Sequence, residues 1–198
     1  MTAAVLLFHA WWGLNDDVRK RAESLRKEGY TVATPDFFGG HVASTIEDAN
    51  ALSSRFEKDE AALTRIADDA VLDLGRSADR IGIVAWSFGV WYTWKMGIAH
   101  AVKVRAIALF YGIGPSAPAG PMPAVLAHYA EHDPYEDIGR ARKIEGEMKA
   151  AGKDIRVEFY PGTKHWFDEP SRPEFDQAAS ALAWERTRSF LKEHLATR

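Results

Sequence analysis

The stretch RIGIVAWSFG, Arg80 to Gly89, decides how this chain folds. Arg80 to Trp86 is an apolar, β-branched run of strand length, and a helix is expected from Ser87 to about His100. Between them lies Ala85-Trp86-Ser87-Phe88-Gly89, the pattern G-x-S-x-G with alanine in the first place. The pattern has a steric origin. A chain that reverses sharply at a serine between strand and helix needs small residues two positions to either side. The reversal lifts the hydroxyl above the sheet and points the next backbone N–H at the place where an oxyanion would form. The competing reading is that Ser87 only caps the helix, a role serine often fills.

Working outward, short apolar runs alternate with amphipathic stretches. Strands are expected at Ala3 to His9, Tyr30 to Thr34, Arg80 to Trp86, Val104 to Tyr111, Pro123 to Ala130 and Ile155 to Tyr160. Helices are expected from Asn15 (as cap) to Lys27, once or twice between Ser44 and Gly75, after Ser87, from Tyr135 to Ala150, and from Pro173 to His194. Unbroken apolar strands joined by helix-length connections predict an α/β fold: a mostly parallel six-stranded sheet with helices on both faces, in one domain spanning residues 1–198. In such sheets chemistry gathers beyond the carboxyl ends of the strands.

Two further groups fall there in the order an acid and a base should follow the serine. Asp133 leaves the fifth strand in EHDPY, and His165 follows the sixth in YPGTKHWF, where Pro161-Gly162 is expected to turn the chain back across the sheet. The separations from Ser87 to Asp133 and from Asp133 to His165 are 46 and 32 residues, which suit one or two strand–helix units. Asp133 would orient His165, and His165 would take the Ser87 proton. Glu131 and Asp137 are the alternative acids. The loop after the first strand, HAWWG, offers the Trp11 N–H as a second oxyanion donor beside that of Phe88. His9, Trp12, Phe37, Phe38, Trp86, Trp166 and Phe167 flank these positions and are expected to wall a pocket for a small apolar or aromatic group. Trp91 and Trp94 are expected in the core, and the run EKDE at 57–60 on a solvated helix face.

Composition narrows the chemistry. The chain has 198 residues, no Cys, 7 Trp and a net charge of -3. A cysteine nucleophile, disulfides and thiolate metal sites are therefore excluded, and a nucleic-acid partner is not expected. No cofactor or metal is expected either. Gly112 to Ala117 matches G-x-G-x-x-A but follows the fourth strand and is broken by Pro115, while His128 and His132 lack the Glu and third ligand of a zinc helix. The start shows no secretory leader and no run near the ~20 residues of a membrane helix, so a cytoplasmic monomer or small homo-oligomer without a membrane partner is expected.

Taken together, VLLFHAWWGLN, EGYTVATPDFFGG, AWSFG, AHYAEHDPY and YPGTKHWF resemble the dienelactone hydrolase family of α/β-hydrolases over nearly the whole chain. The resemblance implies a compact α/β-hydrolase fold and cofactor-free cleavage of a small ester, lactone or thioester through an acyl-enzyme. Family members acting on dienelactone carry a cysteine where this chain has Ser87, a glutamate where it has Ala10, and an arginine where it has Glu169. The first two changes go together, because a serine assisted by histidine does not need that carboxylate. The third speaks against a carboxylated lactone; Arg172 lies near but is not assigned that role. A non-catalytic ligand-binding protein on the same fold is the alternative.

Overall fold

The computed structural model describes residues 3–114 and 119–196. Its six strands are β1 (Ala3–Phe8), β2 (Thr31–Ala33), β3 (Arg80–Trp86), β4 (Val104–Phe110), β5 (Ala124–His132) and β6 (Ile155–Lys164). They form one sheet in the order β2-β1-β3-β4-β5-β6, and every pairing is parallel. The helices are α1 (Asp16–Lys27), α2 (Ile46–Glu57), α3 (Glu60–Gly75), α4 (Phe88–Ala99), α5 (Ile138–Ala150) and α6 (Gln177–Leu195).

Strand parity divides the core in two. Leu6, Phe8, Ile81, Ile83 and Ala85 face α3, α4 and α5; Val5, Leu7, Val84 and Trp86 face α1 and α6. With both faces covered, the central strands can be apolar at every position, which is the pattern of the sequence. The strand order reverses beside β1 and β3, so the loops after these two strands flank the crevice of the switch point.

Four boundaries differ from expectation. The second strand shrinks to three residues at the sheet edge. Pro161-Gly162 does not end β6: the strand runs on to Lys164, re-registering against β5 so that His132 pairs with Lys164, and Gly162 takes φ 73° while its N–H donates to Glu131 Oε2 at 2.8 Å. Helix α5 starts at Ile138 because Asp137 caps it, accepting from Gly139 N–H at 2.7 Å. Helix α6 starts at Gln177 because Asp176, not the stretch from Pro173, supplies the cap. Residues 115–117 of the Gly112–Ala117 stretch lie outside the described residues. Among the described residues no helix is long and apolar enough to cross a membrane.

Candidate active site

The reversal at Ser87 is real and strained. Its φ is 44° and ψ is -107°, a region that non-glycine residues avoid. It stands at the cap position of α4, yet its side chain makes no capping hydrogen bond. The hydroxyl instead lies 3.2 Å from His165 Nε2. Gly89 permits the geometry, since a Cβ there would meet Phe8 O at 2.6 Å and His9 O at 2.8 Å.

His165 and Asp133 meet at the ends of β6 and β5. His165 Nδ1 donates to the Asp133 carboxylate, 2.8 Å from Oδ1 and 2.7 Å from Oδ2. Asp133 Oδ1 also accepts the N–H groups of Tyr135 (2.9 Å) and Glu136 (3.0 Å), which fix the carboxylate's angle. With Nδ1 carrying the proton, Nε2 presents its lone pair to Ser87. The imidazole is buried, with Tyr111, Tyr135 and Trp166 rings at 4.8, 4.9 and 5.1 Å. Glu131 and Asp137, the alternative acids, are engaged elsewhere, on Gly162 and Gly139.

The expected pocket wall is largely something else. His9 is fully buried and structural: Nδ1 donates to Ala10 O at 2.7 Å while Nε2 accepts from Phe37 N–H at 3.0 Å, and burial pushes it down to about 4. Trp86 faces α6, donates from Nε1 to Asp168 Oδ2 at 2.9 Å and stacks on Phe110 at 5.4 Å. Phe167 is enclosed by Tyr160 and Tyr111. Phe37 and Phe38 are buried behind Phe88, at 6.1 and 5.1 Å between rings. Trp12 and Trp166 pack edge to face, covered by Arg172, whose guanidinium sits 3.7 Å from the centre of the Trp12 ring. Parity and the covering loops therefore put these seven side chains in the core. Trp11 is half-buried against Tyr135 and Trp166.

The space that Ser87 does open into is a cleft of about 490 Å³, and Phe88, Trp91, Glu57, Glu60 and Glu136 line it with the serine. Trp91, expected in the core, is 52% exposed and donates to Glu60 Oε1 at 3.0 Å; Trp94 is the buried one. The run at 57–60 thus contributes carboxylates to the cleft instead of only meeting solvent.

Two acids just after His165 are buried: Asp168, which no motif marked, and Glu169, which stands where the family's arginine would be. Asp168 accepts from Arg21 Nη2 and Ser180 Oγ at 2.6 Å each, pinning the His165 loop to α1 and α6. Glu169 accepts from the Tyr111 hydroxyl at 3.1 Å. Burial, with Asp168 and Asp17 adding to it, pushes Glu169 up to about 8, so it keeps its proton at neutral pH. In the unfolded chain it would ionise near ~4.3. The folded state then binds the extra proton across that interval, and stability drains away as pH rises from there towards about 8. Replacing Glu169 with glutamine removes this loss, so the variant's stability advantage in urea titrations should grow between pH 5 and pH 8. A constant difference would refute the assignment. His128 is likewise structural, between the Tyr160 hydroxyl and Thr187 Oγ1 at 2.8 and 2.9 Å.

Comparison with known proteins bears on this arrangement. Carboxymethylenebutenolidase 1 of Cupriavidus pinatubonensis is 28% identical to the chain, covering 94% of it and 84% of the relative. A dienelactone hydrolase-like promiscuous phosphotriesterase from metagenomic libraries superposes with a TM-score of 0.83 at 20% identity, over 99% of this chain and 87% of its own. Esterase 2 of Thermogutta terrifontis gives 0.67 at 17% identity, over 100% and 84%. These two likenesses concern the fold alone. The model of the dienelactone hydrolase family matches residues 1–195, and the chain belongs to that family.

Proposed function

We propose that this chain is a serine hydrolase that cleaves a small ester, lactone or thioester through an acyl-enzyme on Ser87. The observation that carries the reading is the Ser87 hydroxyl, absent from its helix cap and 3.2 Å from a histidine whose other nitrogen is held by a buried carboxylate. His165 Nε2 takes the Ser87 proton as Oγ bonds to the carbonyl carbon. The carbonyl electrons move to oxygen, and the backbone N–H groups of Phe88 and Trp11 meet the resulting oxyanion. Among the described residues neither N–H is spent on a carbonyl of a turn or loop. As the oxyanion collapses, the leaving alcohol or thiol takes the proton from His165. Water, deprotonated by the same nitrogen, then releases the acid. Asp133 keeps Nδ1 protonated and stabilises the imidazolium. The relative named carboxymethylenebutenolidase supports lactone cleavage as one member of this substrate range.

A fluorophosphonate probe tests the reading directly. It should modify Ser87 of the folded protein, located by peptide mass spectrometry, with no labelling after heat denaturation. Folded protein left unmodified would favour a binding protein that has kept the fold without its chemistry.

A further inference from the structure

The loop after β5 carries two acids with different fates. Asp133 turns inward and is met by donors from His165, Tyr135 and Glu136. Glu136, three residues on, is half-buried and opens into the cleft beside Ser87. Among the described residues its carboxylate has no hydrogen-bond donor and no ion-pair partner. Half-burial strips part of its hydration without giving it a partner in return. Its environment agrees: burial, then Asp133, push it up to about 7, while Arg140 draws it down.

The opposite wall points the same way. Glu57, at the end of α2, is exposed and makes no ion pair among the described residues. Glu60 is already paired, and its partner is instructive. Lys95 binds its Oε1, and the same ammonium stands 5.3 Å from the centre of the Trp91 ring. A carboxylate and an indole face in this cleft therefore already hold one ammonium group, the combination that recognises cations elsewhere. Lys95 is neutralised there by Glu60, and among the described residues that line the cleft itself none is lysine or arginine.

Resting on the hydrolase reading above, we propose that Glu136 is a specificity-determining residue: with Glu57 and Trp91 it receives a cationic group on the ester substrate, and the same wall turns carboxylated substrates away. The groups facing Glu136 are Asp133 and Arg140 on its own segment, Tyr129 on β5, and Glu57, Glu60 and Lys95 across the cleft. His165 acts on every ester alike and divides out of any ratio between two esters. Preference for the cation should therefore rise as Glu136 sheds its proton around pH 7.

The test compares kcat/KM for acetylcholine, for 3,3-dimethylbutyl acetate, which has the same shape without charge, and for 4-acetoxybutanoate. The cationic ester should exceed the neutral one on the order of tenfold, and the anionic ester should fall below it by a similar factor. The cation-to-neutral ratio should climb between pH 6 and pH 8 and shrink at roughly 0.5 M salt. It should approach one, and lose its pH dependence, in Glu136→Gln, and fall in Glu57→Gln. For any ester too slow to follow, protection of Ser87 from the fluorophosphonate by choline against 3,3-dimethylbutanol reads the same preference. Turnover or protection indifferent to charge, or a ratio unmoved in Glu136→Gln, overturns the assignment while leaving the hydrolase reading intact. Folded protein that neither cleaves an ester nor takes the probe overturns both.

Discussion

Ser87→Ala is expected to lower kcat for p-nitrophenyl acetate by about 10⁴-fold or more, leaving only what the oxyanion donors and binding supply. The size of the effect follows from the geometry. Nothing else in the cleft offers a nucleophile at 3.2 Å from a base oriented by a buried carboxylate. Asp133→Asn should cost nearly as much although it preserves shape, because an amide that donates to Nδ1 leaves the proton on Nε2, where it faces Ser87 and blocks abstraction. A structural role for the serine predicts the opposite pattern of stability. Ser87 holds φ 44° without forming a cap, so under the proposed mechanism its conformation is a cost kept for catalysis. Ser87→Gly should therefore abolish turnover while gaining about 1 kcal/mol, or ~2–4 °C in Tm for a chain of this size. Turnover within a few-fold of wild type in Ser87→Ala would defeat the mechanism.

The same residues show how far the sequence could be read. The unbroken apolar strands predicted the sheet because a parallel sheet covered on both faces makes no use of alternation, and the order of Ser87, Asp133 and His165 followed from which strand each one leaves. The pocket was not legible in the same way. Trp86 adjoins Ser87 in the chain, yet period-two parity sends it to the α6 side with Val84, and that signal was present in the strand itself. Chain adjacency is a poor guide to which rings share a cavity. Glu57 and Glu136 reach the cleft through the packing of α2 and the capped start of α5, which depend on tertiary placement and left no local mark. The Tyr111–Glu169 pair joins residues 58 apart in sequence, and no motif links them.

Gly89→Ala is the second large effect, and it tests what holds the elbow in place. The added methyl would stand 2.6 Å from Phe8 O, 2.8 Å from His9 O and 2.8 Å from Phe8 Cβ. None of these can retreat cheaply. Phe8 is paired with Ala85 in the sheet, and both ring nitrogens of the buried His9 are engaged, on Ala10 O and Phe37 N–H. The strain must then be relieved by α4, whose first residues carry Ser87 and the Phe88 N–H away from His165 and the oxyanion position. Overpacking of this kind costs about 1–3 kcal/mol, and a displacement near ~1 Å costs about 10²-fold in rate. Both losses should appear together, in urea midpoint and in kcat. Gly146→Ala supplies the contrast: it makes the same chemical change inside α5 with open space around it. There the lower entropy of alanine should stabilise by about 0.5–1 kcal/mol and leave turnover unchanged. Opposite signs for one substitution at two helical glycines would locate the requirement in the close approach of β1 and α4. If Gly89→Ala keeps its activity, the elbow is held by something other than that contact.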